Sequence, residues 1–509
     1  MKRFAVCALC ALILISSLAA CGTPEEGSAS ASSGGASSSS TSASVQTQPE
    51  ETAASAPFTL AACPAYSFHP VLAENSVNLT LAPLMYEGLF TLDSAFQAQP
   101  VLCQSYYVSE DGLTWTFTLQ PGITFSDGTP LTGEVVAQAL QTARGEGSRY
   151  ASRLASVSSV QGSGDQVSVT LTQPNGALAE LLDIPIALGE GDRPLGTGPY
   201  VLTDSGGSLS LTARSDWHGG AENLPITQIP LASMTRADGL MSAFNAGEIT
   251  LMDVDLTGSS DLGSSGQYEV WDYNTTQMLY LGFNAQQGLC RDADVRRAIA
   301  QAVDRQDVVD AIFARHGTAA ALPIHPDSPW YDDAIAGELA YDPTVLAGQG
   351  LEGRPLTLVV NIENTAKSAV ANYVEQQLEN AGLVVTVDRL PWEEYQETVA
   401  AGDFDLYIGE VYLTPDFDLS PLLGLGGSLN YGGWTSNVIG GLLSSFRTAQ
   451  GDARAAAASS LCLHLTQQVP IAPICFRNGT VLTQYGRVEG LFPAYGNIFS
   501  QLESWTIQE

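Results

Sequence analysis

The 509-residue chain is 45% hydrophobic and only 15% charged, with 54 acidic against 20 basic side chains and a formal net charge of −34. That apolar fraction supports a buried core, and the length corresponds to about three domains or one large multi-lobed one. So acidic a surface repels phosphate backbones and anionic head groups, which excludes nucleic-acid binding and broad adhesion to acidic lipid.

Lys2 and Arg3 precede an almost wholly apolar run from Phe4 to Leu18. The run is too short to span a hydrocarbon core of about 30 Å, but it fits the apolar region of a secretion signal. It ends Leu18-Ala19-Ala20-Cys21, which resembles the bacterial lipobox. The expectation is a signal peptide over 1–20 and lipid on Cys21; the alternative is an ordinary signal with a chance cysteine. Residues 21–57 are Ser-, Gly- and Ala-rich with almost nothing to bury, so they read as a disordered tether. No later stretch reaches the 18 apolar residues of a second membrane segment. Cys7 and Cys10 fall inside the signal. Cys63, Cys103, Cys290, Cys462 and Cys475 remain in the body. An odd number argues against a disulfide scaffold. One bridge, with Cys462 and Cys475 the nearest pair in sequence, and buried free thiols both stay open.

The body begins with strand and turn signals. Leu113 to Leu119 alternates apolar and polar, the period of a half-buried strand, which puts Trp115 and Phe117 in the core. Asp127-Gly128-Thr129-Pro130 is a turn. Thr132 caps a predicted helix that runs to about Arg144, with Glu134 in its first turn. Val167 to Leu171 reads as a strand, and Gly196-Thr197-Gly198-Pro199-Tyr200 leads into another. From about 290 the pattern changes. Val295, Ile299, Val303, Val309, Ile312 and Phe313 lie near one helical stripe. Asp292 or Asp294 can cap its start, a break near Asp304 divides it, Arg315 and His316 suit its last turn, and Gly317 ends it. Strands at Leu356–Asn361, Leu383–Val387 and Phe404–Ile408 then alternate with helices at Thr365–Ala381 and Trp392–Ala401. This β-α-β-α-β order with short links implies a parallel, right-handed unit. Trp392, opening a helix, reads as core.

Several ordered blocks carry a family resemblance. Tyr86-Glu87-Gly88-Leu89 precedes Ser109-Glu110-Asp111-Gly112-Leu113-Thr114-Trp115-Thr116-Phe117 and Phe125-Ser126-Asp127-Gly128-Thr129-Pro130-Leu131-Thr132. Gly196 to Tyr200, Phe244 to Ile249, Leu281-Gly282-Phe283-Asn284, Asp294 to Ile299 and Val303-Asp304-Arg305 follow in order. From about 60 to 505 the chain resembles the family 5 extracellular solute-binding proteins, the peptide-, dipeptide- and nickel-type receptors of ABC importers. The resemblance implies a mixed α+β and α/β chain. Its fold would be the two-lobed, periplasmic-binding-protein-like type II fold of cluster C, with an extra β-rich subdomain in the N-terminal lobe. Lobe I would comprise 58–83, 191–272 and 477–509, the extra subdomain 84–190, and lobe II 273–476. It further implies lobe closure on a ligand, delivery to an ABC permease and no cofactor. The chain is then a lipid-anchored monomer outside the cell membrane, and the long Ser-rich tether suits a Gram-positive surface.

Three departures stand out. Gly133 and Val135 replace the family's usual Ala and Asp. His69-Pro70 stands for a common Asp-Pro. Leu413 occupies the position where peptide receptors of the family place the Asp that holds the ligand's ammonium.

The candidate ligand residues are Glu410, Tyr412 and Asp416, expected in a loop just past a parallel strand, where α/β sheets place ligands. Tyr431 and Trp434 join them as exposed aromatics between glycines. Glu74, Asn75 and Ser76 follow the first strand, where the family brings backbone to the cleft. The five histidines, His69, His218, His316, His325 and His464, are not spaced as a metal pair, and no metal is expected. Asp253-Val254-Asp255 opens like a calcium loop, but Ser264 stands where the closing Glu belongs. No HExxH, GxSxG or phosphate-loop motif is present, so a binder is expected rather than an enzyme. Import receptor, surface sensor or signal-peptide receptor on the same fold, and surface hydrolase are the functional readings, in that order. The ligand, whether peptide, sugar, opine or metal chelate, is not fixed by the sequence.

Overall fold

The computed structural model describes residues 57–256, 267–347 and 349–508. The expected signal, Cys21, nearly all of the tether and most of the calcium-like loop lie outside the described residues. No helix among the described residues is long and apolar enough to cross a membrane.

The first half is built from short antiparallel strands. Cys103–Val108, Thr114–Leu119, Gln166–Leu171 and Val157–Ser163 form a four-stranded sheet in that spatial order. Alternation sets its inner face: Trp115, Phe117 and Leu119 are buried, and the threonines between them are half-buried. The helix Gly133–Arg144 lies on this sheet through Val136, Ala137, Leu140 and Ala143. Its approach explains one family departure. A Cβ at Gly133 would stand 2.0 Å from the Gln166 carbonyl oxygen, and one at Gly162 would stand 1.8 Å from that of Gly133. The backbones touch, and an Ala fits at neither position. Thr132 occupies the cap position without a side-chain hydrogen bond to the helix; the Glu134 carboxylate instead accepts from the Gly164 N–H at 3.1 Å. A second sheet pairs Leu60–Ala62 with Gln228–Ser233, and continues through Ser208–Ala213 to Tyr200–Ser205.

The second half centres on a six-stranded sheet, ordered Gly317–Ala319, Ile471–Arg477, Gln277–Phe283, Leu406–Tyr412, Pro355–Asn361, Val384–Leu390. The last three strands are parallel to one another, with helices Thr365–Asn380 and Trp392–Ala401 as crossovers. This is the parallel unit expected from sequence. Gln277–Phe283 runs antiparallel to both of its neighbours, so the sheet is mixed. The helical stripe after 290 does divide. Ala293–Gln301 is capped by Asp292, and Arg305–Ile312 by Asp304, whose carboxylate accepts from the Asp307 N–H. That second helix stops at Ile312, earlier than its sequence predicts. Ala314 and Arg315 adopt φ of 49° and 75°, a left-handed turn that ends helical bonding, and Gly317 opens a strand instead of closing a helix.

A three-stranded sheet, Leu251–Val254, Gly479–Gln484, Tyr268–Tyr273, joins the halves. The chain passes between this sheet and the six-stranded one twice, at Asn274 to Thr276 and at Asn478. The two crossings are tied by the Thr275 hydroxyl, which donates to the Arg477 carbonyl at 2.6 Å. Two extended crossings held side by side have the form of a hinge.

Cys63, Cys103, Cys290, Cys462 and Cys475 are all buried and free. Burial pushes the thiols of Cys290, Cys462 and Cys475 up to about 12. The second family departure also has a local reason. His69 is buried, and its Nδ1 accepts from the N–H groups of Val71 at 3.2 Å and Leu72 at 3.3 Å. It closes the turn as an Asp carboxylate would.

Candidate functional site

The carboxyl ends of the strands Pro355–Asn361 and Leu406–Tyr412 meet the start of the helix Thr365–Asn380. Glu410 and Tyr412 sit inside the second of these strands, which runs four residues beyond its predicted end. Glu410 is the hub. Its carboxylate accepts from Gln277 Nε2 at 2.8 Å, from Arg477 at 2.7 Å and from Asn364 Nδ2 at 3.3 Å. Arg477 also reaches Asp255 at 2.8 Å. It stands at the 478 crossing, so this chain of charges ties the six-stranded sheet to the three-stranded one. The Arg477 side chain is only 7% exposed, and a buried guanidinium between two carboxylates is well compensated.

Two buried polar atoms around Glu410 lack partners, and a buried ammonium stands beside them. The Asn361 Oδ1 and Arg477 Nε atoms make no hydrogen bond among the described residues. Lys367 is 5% exposed, and its ammonium lies 5.1 Å over the Tyr395 ring. No carboxylate stands within 4 Å of that ammonium among the described residues. Burial lowers its pKa from 10.5 to about 8, outweighing the opposing pull of Glu410. Apolar side chains stand exposed beside these groups: Ile362 at the end of one strand, Tyr412 at the end of the other, and Trp392, which stacks on Tyr395 at 5.7 Å. Trp392 is thus a surface residue, not the core residue its helical position predicts. Hydrogen-bonding atoms without partners thus stand beside exposed aromatics at the carboxyl edge of parallel strands, the edge where α/β sheets place ligands.

The other candidates fall elsewhere. Asp416 is 2% exposed and structural. It accepts from Asn175 Nδ2 at 2.9 Å and from the Thr414 hydroxyl at 2.5 Å, and its carbonyl accepts from Arg454 at 2.7 Å. Trp434 is 5% exposed and belongs to the hydrophobic core, held by Asn430 on both its N–H and its carbonyl; this overturns its expected exposure. Tyr431 is half-buried against the edge of Tyr407. Asn75 caps the helix Ser76–Thr80, accepting from the Asn78 N–H, and Glu74 and Ser76 are exposed beside it. Leu413 is buried, so the ammonium anchor of the family's peptide receptors has no counterpart there.

A cavity of about 980 Å³ lies between the hairpin 90–100, the loop at Trp217 to Gly219, the strand end at Val270 to Asn274 and the C-terminal segment 491–503. Tyr273 and Tyr495 line it, and both are within electrostatic reach of the Tyr412 phenol. The strand end at Tyr412 and Leu413 is joined to this wall through Thr276, whose carbonyl accepts from the Leu413 N–H and whose hydroxyl donates to the Tyr495 phenol at 3.4 Å. Sequence reading missed the cavity entirely, because its walls come from stretches of chain far apart in sequence. Glu87 helps close it, accepting from Trp217 Nε1 at 3.1 Å and from the Thr197 hydroxyl at 2.8 Å, with His218 Nε2 at 3.0 Å. The motif residues Tyr86-Glu87-Gly88 and Thr197 thus serve to seat one wall. No group of His, Cys, Asp and Glu among the described residues has the arrangement of a metal site.

Comparison with known proteins agrees with this architecture. The family described as bacterial extracellular solute-binding proteins, family 5, middle region, matches residues 97–432. The Probable D,D-dipeptide-binding periplasmic protein DdpA of Escherichia coli is 25% identical over 342 residues, covering 62% of this chain and 65% of that protein. The glutathione-binding protein GsiB of Escherichia coli is 28% identical over 349 residues, covering 62% of this chain and 66% of that protein. The alignments thus span a little under two thirds of these relatives' length. HbpA2 of Haemophilus parasuis superposes with a TM-score of 0.74 at 20% identity, covering 89% of this chain and 99% of that structure. The fold is that of the periplasmic binding proteins.

Proposed function

We propose that this chain, which belongs to the family 5 bacterial extracellular solute-binding proteins, is the extracytoplasmic receptor of an ABC importer. It captures a small peptide-like solute by lobe closure and hands it to a membrane permease. The observation that carries this reading is the pair of unpaired polar atoms, Asn361 Oδ1 and Arg477 Nε, gathered round Glu410 with the Lys367 ammonium over the Tyr395 ring beside them. Buried donors and acceptors without partners are costly, and a ligand with amide and carboxylate groups satisfies them. The relatives' names point to the same class, since one is a dipeptide-binding and another a glutathione-binding protein.

On this reading the lobes are 58–83 with 191–272 and 477–509, and 273–476, with 84–190 as the added subdomain. The crossings at 274–276 and 478 are the hinge, and ligand contact shifts the open–closed balance. Glu410 and Tyr412 touch the ligand, with Asn361, Lys367 and Trp392 beside them, and Glu74 to Ser76 face them from the other lobe. Asp416, Tyr431 and Trp434 support the site from behind. Cleavage before Cys21, lipid on its sulfur and a tether to residue 57 hold the monomer near its permease and raise its effective concentration there. The chain acts as a binder and not as an enzyme.

A thermal-shift screen of the full-length chain against dipeptides and tripeptides tests this. A ligand at about 100 times its Kd adds about 2.7 kcal/mol of stability, a shift easily read, and Tyr412→Ala should diminish it. No shift with any peptide, together with unchanged peptide uptake on deletion of the gene, would overturn the reading.

A further inference from the structure

The charge of the cavity walls carries the reading one step further. Glu87, Asp93, Asp183, Asp272 and Glu503 line the 980 Å³ cavity, and no Lys or Arg among the described residues does. Three of these carboxylates have cationic or titratable partners: Arg153 for Asp183, His316 for Asp272 and His218 for Glu87. Asp93 accepts only from neutral donors, the N–H groups of Ala95 and Gln97 and the Gln99 amide. Glu503 is exposed. Between the carboxylates stand Trp217, Trp271, Tyr273, Phe492 and Tyr495. Phe492 is 57% exposed, an apolar ring left in water at the edge of an acidic hollow. Aromatic faces interleaved with carboxylates, two of them without a cationic partner among the described residues, attract organic cations by ring quadrupole and by charge together. The net charge of −34 adds long-range steering of the same sign. Among the described residues, His218 is the one basic side chain on these walls that an anionic ligand could meet.

We infer that the solute is an organic cation, an ammonium-bearing peptide or amine whose charged group is held in this cavity. The inference rests on the solute-capture reading above and gives it a substrate class. The acidic, ring-lined cavity takes the part of the ammonium anchor that Leu413 cannot play. The polar groups around Glu410 then take the ligand's amide or carboxylate end.

The test is calorimetric titration of the full-length chain, at low salt and at about 0.5 M salt, with end-capped Ala-Lys-Ala, end-capped Ala-Glu-Ala and spermidine. The lysyl peptide is expected to bind at least tenfold more tightly than the glutamyl one, and to weaken severalfold at high salt. Glu503→Gln and Phe492→Ala change exposed residues, so both variants should fold. Each is expected to weaken lysyl-peptide binding severalfold and to leave unfolding temperature in place. Spermidine binding that the same variants weaken supports the class with a free amine as its source. Equal affinity for the lysyl and glutamyl peptides overturns the cation class while leaving solute capture standing. Lysyl-peptide binding unchanged in both variants overturns the cavity as its seat. Binding of none of the three probes overturns the cation class; solute capture falls as well only if the broad peptide screen is also silent.

Discussion

Replacing Lys367 with Met should stabilise the protein. A buried lysine whose pKa falls from 10.5 to about 8 carries its charge at neutral pH at a cost of about 3 kcal/mol, at about 1.4 kcal/mol per tenfold change. Glu410 offsets part of the desolvation, yet the direction of the shift shows that burial wins. Met keeps the apolar stem against Tyr395 and removes the charge, so Lys367→Met is expected to gain about 1–3 kcal/mol in urea unfolding at pH 7. The pH dependence is the sharper signature. Between about pH 8 and 10.5 the unfolded chain holds the lysine proton and the folded one does not. Wild-type stability should therefore rise across that window relative to the variant. At neutral pH the same variant should bind its solute more weakly, since the ammonium stands beside Glu410 at the proposed ligand site. A variant that loses more than about 1 kcal/mol at pH 7, with no difference in pH slope, would refute the reasoning and make Lys367 a stabilising partner of Glu410.

Other outcomes follow from single contacts. Glu180 is pushed up to about 7 by burial. Its folded state binds the proton more tightly than the unfolded chain, so this contribution is lost as pH rises from about 4.5 to 7, and Glu180→Gln should flatten the stability profile there. Gly133→Ala forces a methyl against the Gln166 carbonyl, between two backbones that cannot yield cheaply. It should cost about 1–3 kcal/mol by chemical denaturation, and an unchanged midpoint would contradict the close approach. Asn175→Ala strips the buried Asp416 of a partner 241 positions away, which should cost about 1–3 kcal/mol with little change in affinity if Asp416 only supports the site. Cys290, Cys462 and Cys475 should resist thiol reagents in the folded chain and react on unfolding, because burial both shields them and holds them protonated.

The legible part of the fold was the part governed by local period. Thr114–Leu119 alternates because one face is buried, and the helices Thr365–Asn380 and Trp392–Ala401 alternate with strands as a parallel unit must. The cap at Asp292 or Asp294 and the break near Asp304 were legible for the same reason, since such signals act within their own turn; Asp292 is the cap at the first, and Asp304 caps the second helix. What depended on distant partners was not. Ile471–Arg477 is buried at every residue, so it has no period to read. Asp416 looks like a loop acid until Asn175 arrives from the other half of the chain. Trp434 looks exposed between glycines, but Asn430 folds its loop so that the ring turns inward. Trp392 shows the converse: its helix packs through Tyr395 and Val399, leaving the ring outside beside Lys367. Of the candidate site, Glu410 was visible as an acid at a strand end. Asn361, Lys367 and Arg477 were not, because what brings them to Glu410, and which of their atoms stay unbonded there, only the folded chain reveals.

The central claim is that the chain captures a solute, and native mass spectrometry of the full-length protein taken from its own cells addresses it most directly. Spectra recorded before and after mild denaturation and refolding should show co-purified masses that disappear, and the released species should be short peptides or amines carrying net positive charge. A protein that emerges with no bound mass, and that shows no thermal shift with peptide or polyamine pools after refolding, would contradict the account.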